Sequence, residues 1–173
     1  MNTVEGKEIA ALLVPTSVTL VTSSDCNGEP CVASVAWAMP LSHEPSIMAI
    51  ALRPGGKTAK AIIEGESFCI NMLRPQQAQA AIICGQHVED RFAQAGLTAQ
   101  SSQFVKAPRI KEALSWVECE LMEHKIYGDH ELYIGRTKIA QTCADITEEG
   151  KVVPTQTLIM SQRGCFGHFE EDK

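Results

Sequence analysis

A short segment at residues 53–58 combines the residue types that proteins use to bind phosphate. Two cations, two glycines and a hydroxyl group follow one another there, as Arg53, Gly55, Gly56, Lys57 and Thr58. The segment lies between a strand-like run and a helix-like run, so its backbone N–H groups and the positive end of a helix can face one anion. The arginine adds a planar fork that matches phosphate oxygens. The pattern therefore indicates a phosphate site at a strand-to-helix turn.

Two other structures are compatible with the same residues. The segment could be a solvated turn in which Thr58 only caps the following helix. It could also end a Walker A loop, because Gly56, Lys57 and Thr58 match the last positions of that motif, but Ala51 occupies the position of its first glycine. The missing glycine argues against a Walker A loop, whereas the phosphate site and the solvated turn both stay open.

Two further segments could contribute to a ligand site. Residues 33–40 form a strand-like run of mostly small residues around Trp37. Small side chains let a planar ligand lie close to the backbone, although tight core packing would use the same residues. His130 follows a turn-like sequence at residues 127–129 and could face a pocket as a hydrogen-bond donor or proton carrier, or simply be solvated.

The cysteines and histidines give no comparable pattern. Ligand-type residues occur close together in residues 84–87 and at Cys26 and Cys31, but neither group is repeated to give four zinc ligands. We therefore expect no metal site. Most of the seven cysteines lie in apolar, strand-like contexts, where a thiol behaves as a small hydrophobic residue. Buried, reduced thiols are favoured over a catalytic cysteine–histidine pair, since no cysteine lies in an evidently electropositive loop.

Short strands dominate the predicted secondary structure. Strand-like patterns occur at residues 14–23, 31–39, 46–52, 67–73, 114–126 and 131–143. Turn sequences at 25–28 and 127–130 predict two hairpins. Pro40 and Pro45 are predicted to bracket a loop. Helices are predicted at 58–65, 75–84 and 88–95, the first capped by Thr58 and closed by Gly65. Many short strands with few helices favour an antiparallel β-barrel over a parallel α/β sheet.

Length and composition restrict the class of protein. The 173 residues fit one domain, residues 1–173, and 45% of them are hydrophobic and 21% charged, which is typical of globular proteins. The net charge of −6, with no long run of like charges, predicts no nucleic-acid or anionic membrane surface. The apolar runs are shorter than the roughly 18 residues of a membrane-spanning helix, and no signal-peptide pattern begins the chain. We therefore expect a cytoplasmic protein.

Taken in order, these segments resemble the flavin reductase-like, FMN-binding split-barrel family over about residues 14–140. The stretches that carry the resemblance are residues 15–18 with 21–23, 33–37, 42–46, 52–53 with 57–58, 68–71, and 90–92 with 96–98. The most specific match is Gly128-Asp129-His130 followed by Tyr133-Ile134-Gly135. One departure is the turn at 42–46, which lacks the second proline of the family's Ser-x-x-Pro-Pro sequence.

The resemblance implies a mainly β fold, an antiparallel split β-barrel of Greek-key type with a few peripheral helices. It also implies that the cofactor is FMN. Its phosphate would be held by Arg53, Lys57 and Thr58, and its ring and ribityl chain would contact Ser34, Val35, Ala36 and Trp37. Asn71 would support the phosphate-loop strand. Arg91, His130 and the tail at residues 163–167, with Phe166 as a ring cover, would lie where the family places flavin or nicotinamide contacts.

The implied function is electron transfer through bound FMN, with no obligatory acid–base residue. We expect an NAD(P)H-dependent flavin oxidoreductase, reduced by NADH or NADPH, that passes electrons to free flavin, a partner oxygenase or another acceptor. The alternatives are a flavoredoxin-like carrier that exchanges electrons with protein partners, and a non-catalytic FMN-binding module. The family likeness further implies a homodimer in which the second chain can contribute flavin contacts.

Overall fold

The structure, a computed structural model, describes residues 2–143, 147–148, 151–152, 157–162 and 165–168. Its strands are β1 (Thr16–Ser17), β2 (Thr19–Ser24), β3 (Pro30–Val35), β4 (Ala38–Ser42), β5 (Ile47–Leu52), β6 (Ser67–Met72), β7 (Ala99–Gln100), β8 (Arg109–Ile110), β9 (Ser115–Tyr127), β10 (His130–Thr142), β11 (Thr147–Glu148), β12 (Lys151–Val152), β13 (Ile159–Gln162) and β14 (Cys165–Gly167). The α-helices are α1 (Lys57–Gly65), α2 (Ala78–Cys84) and α3 (Arg91–Gln94), and short 3-10 turns occur at Gly6–Glu8, Ala10–Leu13 and Pro75–Gln77. None of the helices within these ranges is long and apolar enough to cross a bilayer.

The main sheet has seven antiparallel strands in the order β3-β2-β6-β9-β10-β5-β4. Both predicted hairpins are confirmed. Strands β2 and β3 pair from Thr19 with Val35 to Ser24 with Pro30, and β9 and β10 pair from Tyr127 with His130 onwards. Gly128 has a φ of +63° in the second turn, a conformation that glycine adopts without strain.

The sheet must curl into a barrel because its two edge strands are neighbours in the chain. Only Ala36 and Trp37 separate the end of β3 from the start of β4, and three residue steps span about 11 Å at most. Seven strands laid flat would place the edges about 29 Å apart at the usual strand spacing. The Trp37 carbonyl also accepts a hydrogen bond from the Ala51 N–H of β5 at 2.9 Å. The predicted antiparallel barrel is therefore confirmed.

Alternating side chains of the strands fill two hydrophobic cores. The inner core, inside the barrel, contains Val21, Val35, Ile50, Leu52, Ala59, Ile62, Phe68, Ile70, Cys119 and Tyr133. The outer core, between the sheet and helices α2 and α3, contains Val18, Leu20, Val32, Leu73, Ala81, Cys84, Phe92, Ile110, Ala113 and Leu158. Helix α1 contributes Ala59 and Ile62 to the inner core, so packing inside the barrel fixes the position of its first turn.

Three local predictions are wrong. The strand predicted at 31–39 is interrupted at Ala36 and Trp37, where the chain passes from one sheet edge to the other. Pro40 lies inside β4 rather than in a loop, which is tolerated because β4 is an edge strand and a proline there can direct its missing N–H away from the ladder. The helix predicted at 88–95 covers only Arg91–Gln94, since Asp90 adopts a left-handed conformation with a φ of +41° and caps the helix.

Gly135 provides a test of packing in the inner core. A Cβ atom at this position would lie 2.6 Å from two ring carbons of the buried Phe68 and 2.9 Å from the Cβ of Cys119. We expect Gly135→Ala to lower the free energy of unfolding by about 1–3 kcal/mol through overpacking, as measured by urea denaturation. The control is Gly167→Ala, whose added Cβ meets nothing within 4 Å. Equal stability of the two variants would contradict the packing of β10 against Phe68.

Candidate functional site

A cleft of about 890 Å³ opens beside the link between β3 and β4. One wall is β3 with the link residues, and the other is the segment from Cys84 to Phe92. The end of β5, the start of α1 and His130 complete the lining. The cleft therefore brings together parts of the chain that lie up to a hundred residues apart in sequence.

The start of α1 forms a polar corner of the cleft. Arg53, Gly56, Lys57 and Thr58 all line it. Gly56 is the N-cap, and no side chain hydrogen-bonds to the first turn. Thr58 lies inside the helix and is only 3% exposed, so its predicted capping role is wrong. Its Oγ1 atom is buried with no hydrogen-bond partner in the described structure.

This corner has the charge and the donors that an anion requires. The first N–H groups of a helix have no partner within it, and the nine-residue α1 adds the partial positive charge of its dipole. Arg53 and Lys57 add two full charges. A buried hydroxyl without a partner is unfavourable, and a phosphate oxygen at this position would satisfy it. The residues therefore fit a phosphate group.

The β3 wall of the cleft includes the four residues that were expected to contact the ring and ribityl chain. Ser34, Val35, Ala36 and Trp37 all line the cleft, but the Val35 side chain is 2% exposed and belongs to the inner core. Ser34 points toward the end of α2, because a Cβ built on Gly85 would lie 3.7 Å from the Ser34 Cβ. Small side chains on this wall allow a flat ligand to reach the peptide groups.

Trp37 and His130 form a ring pair at the edge of the cleft. Their ring centroids are 4.4 Å apart and tilted by 40°, and Trp37 is 48% exposed. The Nδ1 atom of His130 lies 2.8 Å from Oδ1 of Asp129, and this hydrogen bond lowers the pKa of Asp129. Asp129 thus orients the imidazole, whose remaining edge is available to a ligand in the cleft.

Two of the predicted residues lie away from the cleft. Asn71 is fully buried; its amide donates to the Leu20 carbonyl at 2.9 Å and accepts from the Ile110 N–H at 2.8 Å. It therefore joins β6 to β2 and β8, and not to β5, the strand before the polar corner. Phe166 packs against the outer core and is absent from the cleft lining of its own chain. Arg163 and Gly164 of the predicted tail fall outside the described residues.

Arg91 lines the cleft, but its guanidinium hydrogen-bonds to the protein itself. It donates to the Gln86 carbonyl from Nε at 3.0 Å and from Nη2 at 2.7 Å. It also donates to the Val32 carbonyl from Nη1 at 2.8 Å. The side chain therefore joins the two walls of the cleft.

The sequence analysis did not assign residues 85–90, which precede Arg91, to a ligand site. Gly85, His87, Val88, Glu89 and Asp90 all line the cleft, and the glycine after α2 was the one local signal. Cys84 also lines it, but burial raises the pKa of its thiol to about 11 despite the nearby charge of Arg91. A protonated thiol is a poor nucleophile, so the cleft offers no activated cysteine there. The described residues hold no cluster of His, Cys, Asp or Glu suited to a metal.

Sequence comparison identifies the family. The family model described as "Flavin reductase like domain" matches residues 11–166. The chain belongs to the flavin reductase-like family. An uncharacterized protein of Pyrococcus abyssi is 33% identical over 140 residues, which is 80% of this chain and 80% of that protein. The family-model match confirms the predicted family and its flavin oxidoreductase function.

Solved structures of this flavin reductase-like fold superpose closely. A Shewanella frigidimarina protein with a split-barrel domain gives a TM-score of 0.86 at 20% identity, over 99% of this chain and 93% of that chain. Flavoredoxin of Desulfovibrio vulgaris gives 0.85 at 22% identity, over 100% of this chain and 96% of that chain. These superpositions confirm the predicted split barrel.

Glu131 supports the strand that carries His130. It is nearly buried, at 6% exposure, and pairs with Leu52 at the end of β5. The Tyr133 hydroxyl donates to its Oε2 at 2.6 Å, and His124 Nδ1 lies 2.6 Å from its Oε1. Burial raises the pKa of Glu131, but the hydrogen bonds from Tyr133 and His124 outweigh it and lower the pKa.

This carboxylate predicts a pH dependence of stability. Because the pKa of Glu131 is lower in the folded than in the unfolded chain, its contribution is complete above about pH 4.3 and is lost as the pH falls through the folded value. We expect Glu131→Gln to be less stable than the parent by about 1–2 kcal/mol at pH 7. Urea denaturation from pH 7 to pH 3 should show this difference shrinking. A difference that grows toward low pH would contradict the assignment.

Proposed function

We propose that this protein is an NAD(P)H-dependent flavin oxidoreductase that binds FMN in the cleft, with the phosphate at the start of α1. The observation that carries the proposal is the Thr58 hydroxyl, which is buried and unpartnered beside Arg53 and Lys57. Riboflavin lacks the phosphate and would leave this hydroxyl unsatisfied. The corner therefore distinguishes a phosphorylated flavin from an unphosphorylated one.

When bound, FMN supplies the chemistry of accepting and releasing hydride or electrons. The protein supplies the side chains and backbone groups that position the flavin. Arg53 and Lys57 neutralise the phosphate, Thr58 and the first N–H groups of α1 donate to its oxygens, and Gly56 keeps the approach free of side chains. The backbone of residues 34–36, which line the cleft, would hydrogen-bond the polar edge of the ring.

The Trp37–His130 ring pair lines the same cleft as Arg53. Half-exposed, the Trp37 indole offers an apolar face, and His130, oriented by Asp129, can donate to the cofactor or help to seat the nicotinamide. Neither residue has to exchange a proton in the proposed reaction.

We further propose a cytoplasmic homodimer that passes its electrons to free flavin or to a partner oxygenase. Support for a dimer comes from exposed apolar side chains on an edge strand, Met39 and Leu41 of β4, and near the end of the β9–β10 hairpin, Ile126 and Tyr127. Support for a reducing compartment comes from the free, buried thiols of Cys31, Cys69, Cys84 and Cys119.

The polar corner at the start of α1, called the phosphate corner from here on, predicts that the protein binds FMN more tightly than riboflavin. We expect Lys57→Gln to weaken FMN binding by about 1.5–3 kcal/mol, the contribution of a charge-assisted hydrogen bond, with riboflavin affinity unchanged. Flavin fluorescence titration measures both. The matched control is Lys60→Gln, an exposed lysine on the same helix that does not line the cleft. Equal FMN and riboflavin affinities in the parent would refute the phosphate site.

The reductase assignment predicts that NADH or NADPH bleaches the absorbance of bound FMN when mixed anaerobically. His130→Ala should slow that reduction or weaken FMN binding by about 1–3 kcal/mol, the value of one contact to a partly buried ligand, with an unchanged melting temperature. FMN binding without reduction by either nucleotide would instead indicate an electron carrier. Parent-like affinity, rate and melting temperature would remove His130 from the site.

The dimer is tested by light scattering of the FMN-loaded protein. We expect a mass twice the 18.8 kDa of one chain, because exposed apolar surface on edge strands is commonly covered by association. A mass of one chain that does not change with concentration would rule out a shared interface.

A further inference from the structure

We infer that Arg91 is a positioning residue that clamps the two walls of the cleft together, and that it does not bind the flavin directly. The inference deepens the proposed function and rests on it, because the cleft is taken as the flavin site. Arg91 had been expected among the ligand contacts, and its hydrogen bonds show a different role.

The guanidinium bridges two separate elements. Three of its donor nitrogens are directed at two backbone carbonyls, Gln86 in the segment after α2 and Val32 in β3. Strand β3 is an edge of the seven-stranded sheet, where carbonyls lack a neighbouring strand to pair with. Arg91 therefore satisfies a sheet edge and a loop with one planar group, which suits the fork of a guanidinium.

Arg91 is itself firmly held. Asp90 caps α3 by accepting from the Ala93 N–H at 3.1 Å, and Phe92, next in the chain, is 8% exposed and packs in the outer core. The segment that Arg91 holds is different. Residues 85–90 contain no helix or strand and are mostly exposed, so they have little packing of their own to fix them against β3.

The consequence is that Arg91 determines where the second wall lies. Gly85, His87 and Asp90 contribute to that wall, and Ser34 faces it from β3. Loss of the clamp would let the wall move relative to the phosphate corner while leaving that corner intact. A flavin would then still find its phosphate contacts but lose a defined environment for its ring.

The test compares Arg91→Lys, Arg91→Ala and Gln94→Ala. Lysine keeps the charge but cannot hold two carbonyls in one plane, so a clamp predicts that both Arg91 variants behave alike. Gln94 is the control, because it donates to the Glu89 carbonyl at 2.6 Å without reaching β3. In the flavin-free protein we expect amide hydrogen exchange of residues 85–90 to accelerate about tenfold in both Arg91 variants, and not in Gln94→Ala.

With FMN, both Arg91 variants should bind about tenfold more weakly and show a visible absorption spectrum closer to that of free flavin, whereas Gln94→Ala should match the parent. Weaker FMN binding with unchanged exchange would make Arg91 a direct ligand and overturn the inference. So would faster exchange with parent-like FMN affinity and spectrum, or an Arg91→Lys variant that matches the parent in both measurements. The exchange arm needs no flavin, so a failure of FMN binding in the parent refutes the proposed function separately.

Discussion

Ala36 and Trp37 form the entire connection between the strands at the two edges of a seven-stranded sheet. A link this short cannot span a flat sheet, so the sheet curls until its two edges approach each other at the link. The curled sheet encloses Ile50, Phe68 and Tyr133, and the cleft opens beside the link between its two edge strands. The same two residues then serve as part of the cleft wall.

The packing of the barrel also determines the position of the phosphate corner at the start of α1. Helix α1 packs Ala59 and Ile62 into the inner core, which fixes the position of its first turn beside the cleft. The protein thereby tolerates a buried hydroxyl and a helix start without a side-chain cap. Both features are unfavourable in an isolated chain, and one anion in the cleft removes both. The unpartnered Thr58 hydroxyl and the uncapped start of α1 are the features of the cleft that favour an anion.

Local structure could be predicted from the sequence wherever neighbouring residues determine it. The strand-to-helix turn at residues 53–56 and the turns before β3 and β10 depend on nearby sequence, and the structure confirms them as turns. Pro40 was predicted to lie in a loop, but it lies in β4. A proline is tolerated there because β4 is an edge strand, and the order of strands in the sheet cannot be predicted from nearby residues. The hydrogen-bond partners of Asn71 and Arg91 were not predicted for a related reason. Their partners, Ile110 for one and Val32 for the other, are distant in sequence, and no pattern near either residue reveals them.

The central claim, that an anion belongs at the start of α1, is tested most directly by a crystal structure of the protein with FMN. The account predicts the phosphate within hydrogen-bonding distance of the Thr58 hydroxyl and of the first N–H groups of α1, flanked by Arg53 and Lys57. It also predicts the ring alongside residues 34–37. A phosphate bound elsewhere, with the Thr58 hydroxyl still unpartnered, would contradict the account.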